Sequence, residues 1–201
     1  EPKIITEEFM QRLSKLEKIC HHFHLSLQSG CDATLKRMNR KYTTSEVKEI
    51  IERLRRYYDD VMLTTDIIVG FPGETEEEFE ESRSFVDSIH FYETHIFPYS
   101  KREGTKAAVM PDQLPEQIKK ERSRVLIALG QEHQREYMEQ FLGKKKEVLF
   151  EEQQKIQGQT YWTGHTMEYL KVAVISEESL ENKRVMVQLQ NIIGQDLILA
   201  E

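Results

Sequence analysis

The sequence predicts an α/β fold followed by a small all-β barrel or sandwich, and three observations carry that prediction. Up to Gly143, apolar residues at helical spacing alternate with strand-like apolar runs, the order that builds parallel βαβ units. Beyond Gly143, short strand-like runs follow one another across polar breaks with no helix between them. Gly143 itself is a natural helix stop, so the chain divides into residues 1–143 and residues 144–201.

Each element has its own signal. Thr6 can cap a helix whose apolar positions are Phe9, Leu13, Leu16 and Ile19. Phe23 to Gln28 alternates with period two, and Ser29-Gly30 ends that strand. Thr43 and Glu46 form a capping box ahead of a helix faced by Val47, Ile50, Ile51 and Leu54. Leu63 to Val69 reads as the next strand. Thr75 and Glu78 make a second capping box, opening a helix to about Ser88. Phe91 to Tyr99 is a third strand, and Pro115 suits the first turn of a long helix running to Gly143. The later strands are Val148–Phe150, Tyr161–Thr163, Tyr169–Ile175, Arg184–Leu189 and Asp196–Leu199.

Composition bounds the function. At 38% hydrophobic and 31% charged, the 201 residues suffice for a core and are too apolar for disorder. No run approaches the roughly 18–20 apolar residues of a membrane span. No signal peptide is seen, and a first residue other than Met points to a processed or cut chain. Two cysteines, Cys20 and Cys31, make no disulfide framework, so a cytoplasmic location is expected. A net charge of −7 argues against indiscriminate polyanion binding.

The chemistry concentrates at strand ends. Gln28 and Asp66 lie on one alternating face of two successive strands, where a covered parallel sheet should be almost wholly apolar. Either they are a satisfied core glutamine and a helix-capping aspartate, or that face lines a cavity; their coincidence favours the cavity. A carboxylate such as Asp66 accepts two hydrogen bonds from a ribose diol, and Gly70-Phe71-Pro72-Gly73 lets backbone approach a flat base. The turn is no phosphate loop, since it lacks the GxxxxGK pattern and is followed by Glu74, Glu76, Glu77 and Glu78. Arg37, Arg40 and Lys41 form either a solvated basic loop or a partner for a ligand carboxylate. Cys20, His22 and His24 share period-two spacing, but no fourth ligand completes a metal site. No nucleophile elbow or zinc-protease motif appears.

Several segments together resemble one family. They are His24-Leu25-Ser26-Leu27-Gln28-Ser29-Gly30-Cys31-Asp32, Leu35-Lys36-Arg37-Met38-Asn39-Arg40 and Thr65-Asp66-Ile67-Ile68-Val69-Gly70-Phe71-Pro72-Gly73-Glu74-Thr75. Tyr99 to Thr105 adds a YSPRxGT-like stretch with Lys101 in place of Pro, and Asp112 to Glu116 and Lys119 to Arg122 continue the likeness. The chain is similar to the radical S-adenosylmethionine methylthiotransferases, and within them most like the MtaB branch, which modifies threonylcarbamoyl-adenosine beside the tRNA anticodon. The resemblance implies the C-terminal part of a partial (β/α)6 barrel, followed by a TRAM β-barrel.

It also implies roles. Gln28 and Asp66 would hold the ribose hydroxyls of S-adenosylmethionine, and Arg40 its methionine carboxylate. Backbone at Ile68, Val69 and Gly70 would meet the adenine, with Phe97 and Tyr99 as neighbours. The tRNA anticodon region would be the partner. Lys144, Lys145 and Lys146 with Tyr161, Trp162 and Tyr169 would contact it, or else form a solvated lysine run and a barrel core. Residues 144–201 carry seven Lys/Arg against nine Asp/Glu, a net of −2, which is unlike most nucleic-acid modules. The family's CxxxCxxC loop for a 4Fe-4S cluster is absent. Cys20 and Cys31, with ten residues between them, cannot replace it, because a cluster takes three or four thiolates. The chain by itself is therefore expected to be inactive. Two other readings remain: a ribosomal-protein methylthiotransferase, and a non-catalytic nucleoside- or RNA-binding module.

Overall fold

The computed structural model describes residues 2–201, which build two sheets. Strands β1 (His22–Gln28), β2 (Met62–Val69) and β3 (Glu93–Pro98) form a parallel sheet in that order. Helices α1 (Glu7–Leu13), α2 (Asp32–Arg37), α3 (Thr44–Tyr57), α4 (Glu76–Ile89) and α5 (Glu116–Glu139) accompany it. Then β4 (Lys145–Ile156), β5 (Gln159–Thr166), β6 (Lys171–Val174), β7 (Lys183–Ile193) and β8 (Leu197–Ala200) close into a barrel, ordered β4-β5-β6-β8-β7. The α/β part and the small barrel are both as expected. Among the described residues no helix is long and apolar enough to cross a membrane.

Period-two alternation decides which sheet face meets the helices. Leu25, Leu27, Ile67 and Val69 point into a core with Met10 of α1, Val47, Ile51 and Leu54 of α3, and Phe79 and Val86 of α4. Both capping boxes form, each satisfying two orphan amides at a helix start. The opposite face carries His24, Ser26, Gln28, Asp66 and Ile68, all partly or well exposed.

A second core joins the sheet to the barrel. Met62 and Tyr92 pack with Met138 and Phe141 at the end of α5, and with Val148, Phe150, Trp162 and Val172 of the barrel. Polar contacts follow the same seam. Lys146 Nζ reaches Asp60 at 3.1 Å and Glu168 at 2.6 Å, and the Tyr137 hydroxyl donates to the Asp60 carbonyl at 2.7 Å.

Element ends differ from expectation for identifiable reasons. Helix α1 stops at Leu13, because Leu16 has no core to enter and is exposed, and Met10 rather than Phe9 is the buried anchor. Residues 32–37, for which the sequence predicts no element, form α2, so Arg37 ends a helix and is not in a basic loop, and the buried Cys31 holds the N-cap position. Helix α5 ends at Glu139, since Phe141 must turn into the second core. Strand β4 runs to Ile156, well past Phe150, because Gln157 and Gly158 both adopt positive φ and close a tight hairpin onto β5.

Candidate functional site

Three strand ends meet at one edge of the parallel sheet, where Gln28 pairs with Ile67, Ile68 with Phe97 and Val69 with Pro98. Gln28 has φ 74°, a left-handed conformation that ends β1 and turns the chain towards α2. The following Gly30 lies so close to α4 that a Cβ would come within 2.8 Å of the Ser82 carbonyl, and its N–H donates to Ser82 Oγ. Beyond these ends lies a cavity of about 530 Å³. Gln28, Asp66, Ile68, Phe97 and Tyr99 line it, together with Phe71, Arg102 and Thr105. The sequence-predicted wall is thus largely assembled, with apolar sides and a few polar groups, the usual make-up of a ligand pocket.

Asp66 already has a partner. His24 Nε2 donates to its carboxylate at 3.1 Å, and Thr64 Oγ1 lies 3.1 Å from His24 Nδ1 and 3.0 Å from His22 Nε2. A carboxylate only accepts, so the neutral His24 ring carries its proton on Nε2 and takes the Thr64 hydroxyl proton at Nδ1. His22 can then donate to that hydroxyl. Burial, followed by repulsion from the His24 ring when that ring is protonated, holds the His22 pKa below its ordinary value. His95 joins this face, its ring centroid 5.9 Å from that of His24. Among the described residues the buried Tyr99 hydroxyl has no hydrogen-bond partner, and none is found for the Gln28 amide or the Arg102 guanidinium.

Three predicted residues stand apart from the cavity. Val69 is buried on the helix-covered face. The N–H of Gly70 is taken by the Glu74 carboxylate and is not free to meet a base. Arg40 is half-buried and does not line the cavity; among the described residues its Nε has no partner and no carboxylate forms an ion pair with it. Arg37 is committed to Glu78 through both terminal nitrogens, with Nη1–Oε1 at 2.8 Å.

The glycine turn owes its shape to α5, a helix expected from the sequence but given no role at the site there. Gly70 has φ 72°, and a Cβ there would sit 2.5 Å from Lys119 Cγ. Lys119 Nζ donates to the Tyr99 carbonyl at 3.0 Å, and Arg122 Nη1 donates to buried Glu74 at 2.7 Å. Burial raises the Glu74 pKa, against the Gly70 N–H and the Arg122 guanidinium. No pattern in the sequence separates Lys119 and Arg122 from the other charges of α5.

The expected RNA-facing residues separate. Lys144 and Lys145 are exposed, whereas Lys146 is held at the seam; burial opposes its charge, but Glu168 and Asp60 outweigh that and raise its pKa. Trp162 is 8% exposed and belongs to the second core, so its ring is no open stacking platform; Tyr161 is half-buried. Tyr169 is 47% exposed and stacks on His165 at 4.5 Å and on His22 at 5.1 Å between centroids. The Cys20–His22–His24 metal grouping does not form. Cys20 is exposed ahead of β1, and the His/Asp clusters present contain no cysteine.

Donor chemistry decides which groups fit. The cavity suits an adenosine-like ligand: Asp66 accepts, Gln28 and Tyr99 have unused donors, and Ile68, Phe71 and Phe97 supply apolar surface. An iron–sulfur cluster does not fit the two cysteines, because Cys31 is buried, its thiol pKa raised by that burial, and Cys20 lies outside the cavity.

Residues 2–86 match the Radical SAM superfamily. The chain is 41% identical over 186 residues to the threonylcarbamoyladenosine tRNA methylthiotransferase MtaB of Bacillus subtilis, covering 92% of this chain and 41% of the relative. It is 44% identical over 150 residues to a tRNA-2-methylthio-N(6)-dimethylallyladenosine synthase of Caldicellulosiruptor saccharolyticus, covering 75% of this chain and 32% of the relative. It is also 41% identical over 165 residues to the ribosomal protein uS12 methylthiotransferase RimO of Alkaliphilus oremlandii, covering 82% and 37%. The chain thus spans 41% or less of the length of these curated relatives.

Proposed function

From the chain's membership of the radical S-adenosylmethionine methylthiotransferase family, we propose that it supplies one wall of a site where an adenosine of tRNA receives a methylthio group. The carrying observation is the cavity at the strand ends, which gathers Asp66, Gln28 and the partnerless Tyr99 hydroxyl against apolar walls. Bound S-adenosylmethionine would supply the methyl group and, with a reduced cluster, the 5′-deoxyadenosyl radical. Asp66 and Gln28 would bind ribose hydroxyls, Asp66 through the carboxylate oxygen that His24 leaves free. Ile68 and Phe97 contact the adenine. The carboxylate role falls better to Arg102 than to Arg40, because Arg102 lines the cavity without an ion-pair partner. The name of the relative from Bacillus subtilis favours threonylcarbamoyl-adenosine of tRNA as the target, the resemblance of the motifs adds its place beside the anticodon, and the barrel is read as a TRAM module, with residues 144–201 as its extent.

The test is a titration of the chain with S-adenosylmethionine, followed through backbone amide resonances. Weak binding should shift the amides of Ser29, Ile68 and Tyr99, and Asp66→Ala should abolish the shifts. Unmoved amides at millimolar-scale ligand would sink the reading of the pocket. After iron–sulfur reconstitution the 201 residues alone should yield no 5′-deoxyadenosine. A second reading, a ribosomal-protein substrate, is favoured by the barrel's net acidity and by the internal use of Lys146 and Trp162. Methylthio transfer by the full protein to uS12 and not to tRNA would establish it.

A further inference from the structure

On the sheet's far side, at the end of α4 away from the cavity, two short pairings converge. Asp87 and His90 are three apart at the end of α4, and His133 and Glu136 are three apart on α5. One ligand atom from each of Asp87, His90 and His133 lies within 4.8 Å of the others. Intervals of three put both members of each pair on one helix face.

His133 makes this more than a pair of surface ion pairs. Its side chain is 2% exposed, Nδ1 has no partner, and Nε2 faces Asp87 Oδ1 at 3.2 Å. If Nε2 holds the proton, a bare Nδ1 lone pair is buried; if Nδ1 holds it, the Nε2 lone pair opposes a carboxylate. In the second arrangement a cation is the natural third party. Ligands about 2.0–2.1 Å from a tetrahedral ion lie about 3.3 Å apart, close to the observed N···O distance. All three ligand atoms already lie within 4.8 Å of one another, so closing the set takes a shift of at most about 1.5 Å, which the exposed His90 side chain can make. Glu136 already accepts from His90 Nδ1 at 3.1 Å, so Nε2 keeps its lone pair, the carboxylate–histidine relay found behind metal ligands. His90 also holds a left-handed backbone (φ 54°) at a cap where Gly is usual.

We propose that Asp87, His90 and His133 bind a divalent transition-metal ion, zinc in the first instance, with Glu136 as the positioning carboxylate. Two imidazoles and a carboxylate suit zinc and disfavour magnesium and calcium. A neighbouring cavity of about 220 Å³, lined by His90, His133 and Glu136, leaves room for a water ligand. Arg55 also faces it, but its guanidinium is fixed on the Ile89 carbonyl, and Asp59 and Asp60 face the same space, Asp60 paired with Lys146.

The experiment is calorimetry of the 201-residue chain with zinc chloride alone, with the cobalt(II) visible spectrum as a second readout. One ion per chain is expected, with a four-coordinate cobalt spectrum and a higher melting temperature. His90→Ala and Asp87→Asn, both at accessible positions, should each weaken binding at least about tenfold while far-UV circular dichroism stays unchanged. Glu136→Gln should weaken it less. His95→Ala, in the other His/Asp cluster, should leave it unaltered. Wild-type zinc affinity in His90→Ala and Asp87→Asn, or loss of binding in His95→Ala instead, would overturn the assignment.

Discussion

Arg122→Met is the sharpest probe of how the glycine turn is held. The Arg122 and Glu74 side chains are 6% and 2% exposed, and they meet at 2.7 Å, with a second bond from Arg122 to the Glu74 carbonyl at 3.1 Å. Removing one partner of such a buried pair costs about 3–5 kcal/mol, because the other charge is left uncompensated. The lost link to Glu76 adds about 0–1 kcal/mol, since that carboxylate is solvated. Met keeps some of the packing on Phe79. For a chain of this size, about 3–5 kcal/mol lowers the melting temperature by about 6–20 °C. The pH dependence gives a second handle. Burial already raises the Glu74 pKa, and without Arg122 it must rise further. A raised carboxyl pKa contributes stability below the unfolded value that is lost as pH rises through the folded value. The variant's penalty should therefore be largest at neutral pH and shrink on acidification. Urea unfolding of wild type and variant, near neutrality and about two pH units lower, measures both effects. Adding Glu74→Gln to the variant should recover part of the neutral-pH loss. A penalty under about 1 kcal/mol, or one equal at both pH values, would refute the account.

Three further outcomes are expected. Lys144→Ala and Lys145→Ala should weaken binding of an anticodon stem-loop in a filter assay without changing stability. Lys146→Ala should instead destabilise by about 1–3 kcal/mol, because it strips the buried Glu168 of its cation. An unaltered melting temperature in Lys146→Ala would contradict the seam role. His22, whose pKa is depressed by burial, contributes stability present above its unfolded pKa of about 6.5 and lost as pH falls through the folded value. His22→Gln should remove that acid-sensitive part of the melting curve, and an unchanged slope of melting temperature against pH would count against it.

Local rules were legible wherever a residue acts on its own neighbours. Both capping boxes, the period-two faces of β1 and β2, and the placing of Gln28 and Asp66 at one cavity follow from spacing alone. What failed to show needs a partner distant in sequence. The hairpin after Ile156 looked like polar breaks because its strand faces solvent, and only the positive φ of Gln157 and Gly158 marks the turn. Trp162 reads as a stacking residue until the barrel closes around it. Gly70 looked free to meet a base, but its N–H is spent on Glu74, which in turn needs Arg122, forty-eight residues away. Charge pairs of that separation leave no periodic trace, so α5 read only as a long helix ending at Gly143.

Helix α5 connects the two halves of the molecule mechanically. Its first turns clamp the site, through Lys119 on the Tyr99 carbonyl and Arg122 on Glu74. Its far end inserts Met138, and Phe141 just beyond it, into the core shared with the barrel. Twenty-four residues at 1.5 Å each make a rod of about 36 Å. A rod anchored at both ends transmits displacement rather than absorbing it, because packed cores do not deform continuously. A load on the barrel that tilted α5 would thus pull first on the Glu74 and Tyr99 contacts, which shape two of the loops around Asp66. The same helix face carries His133, so an ion bound there would brace the rod about three-quarters of the way along against α4.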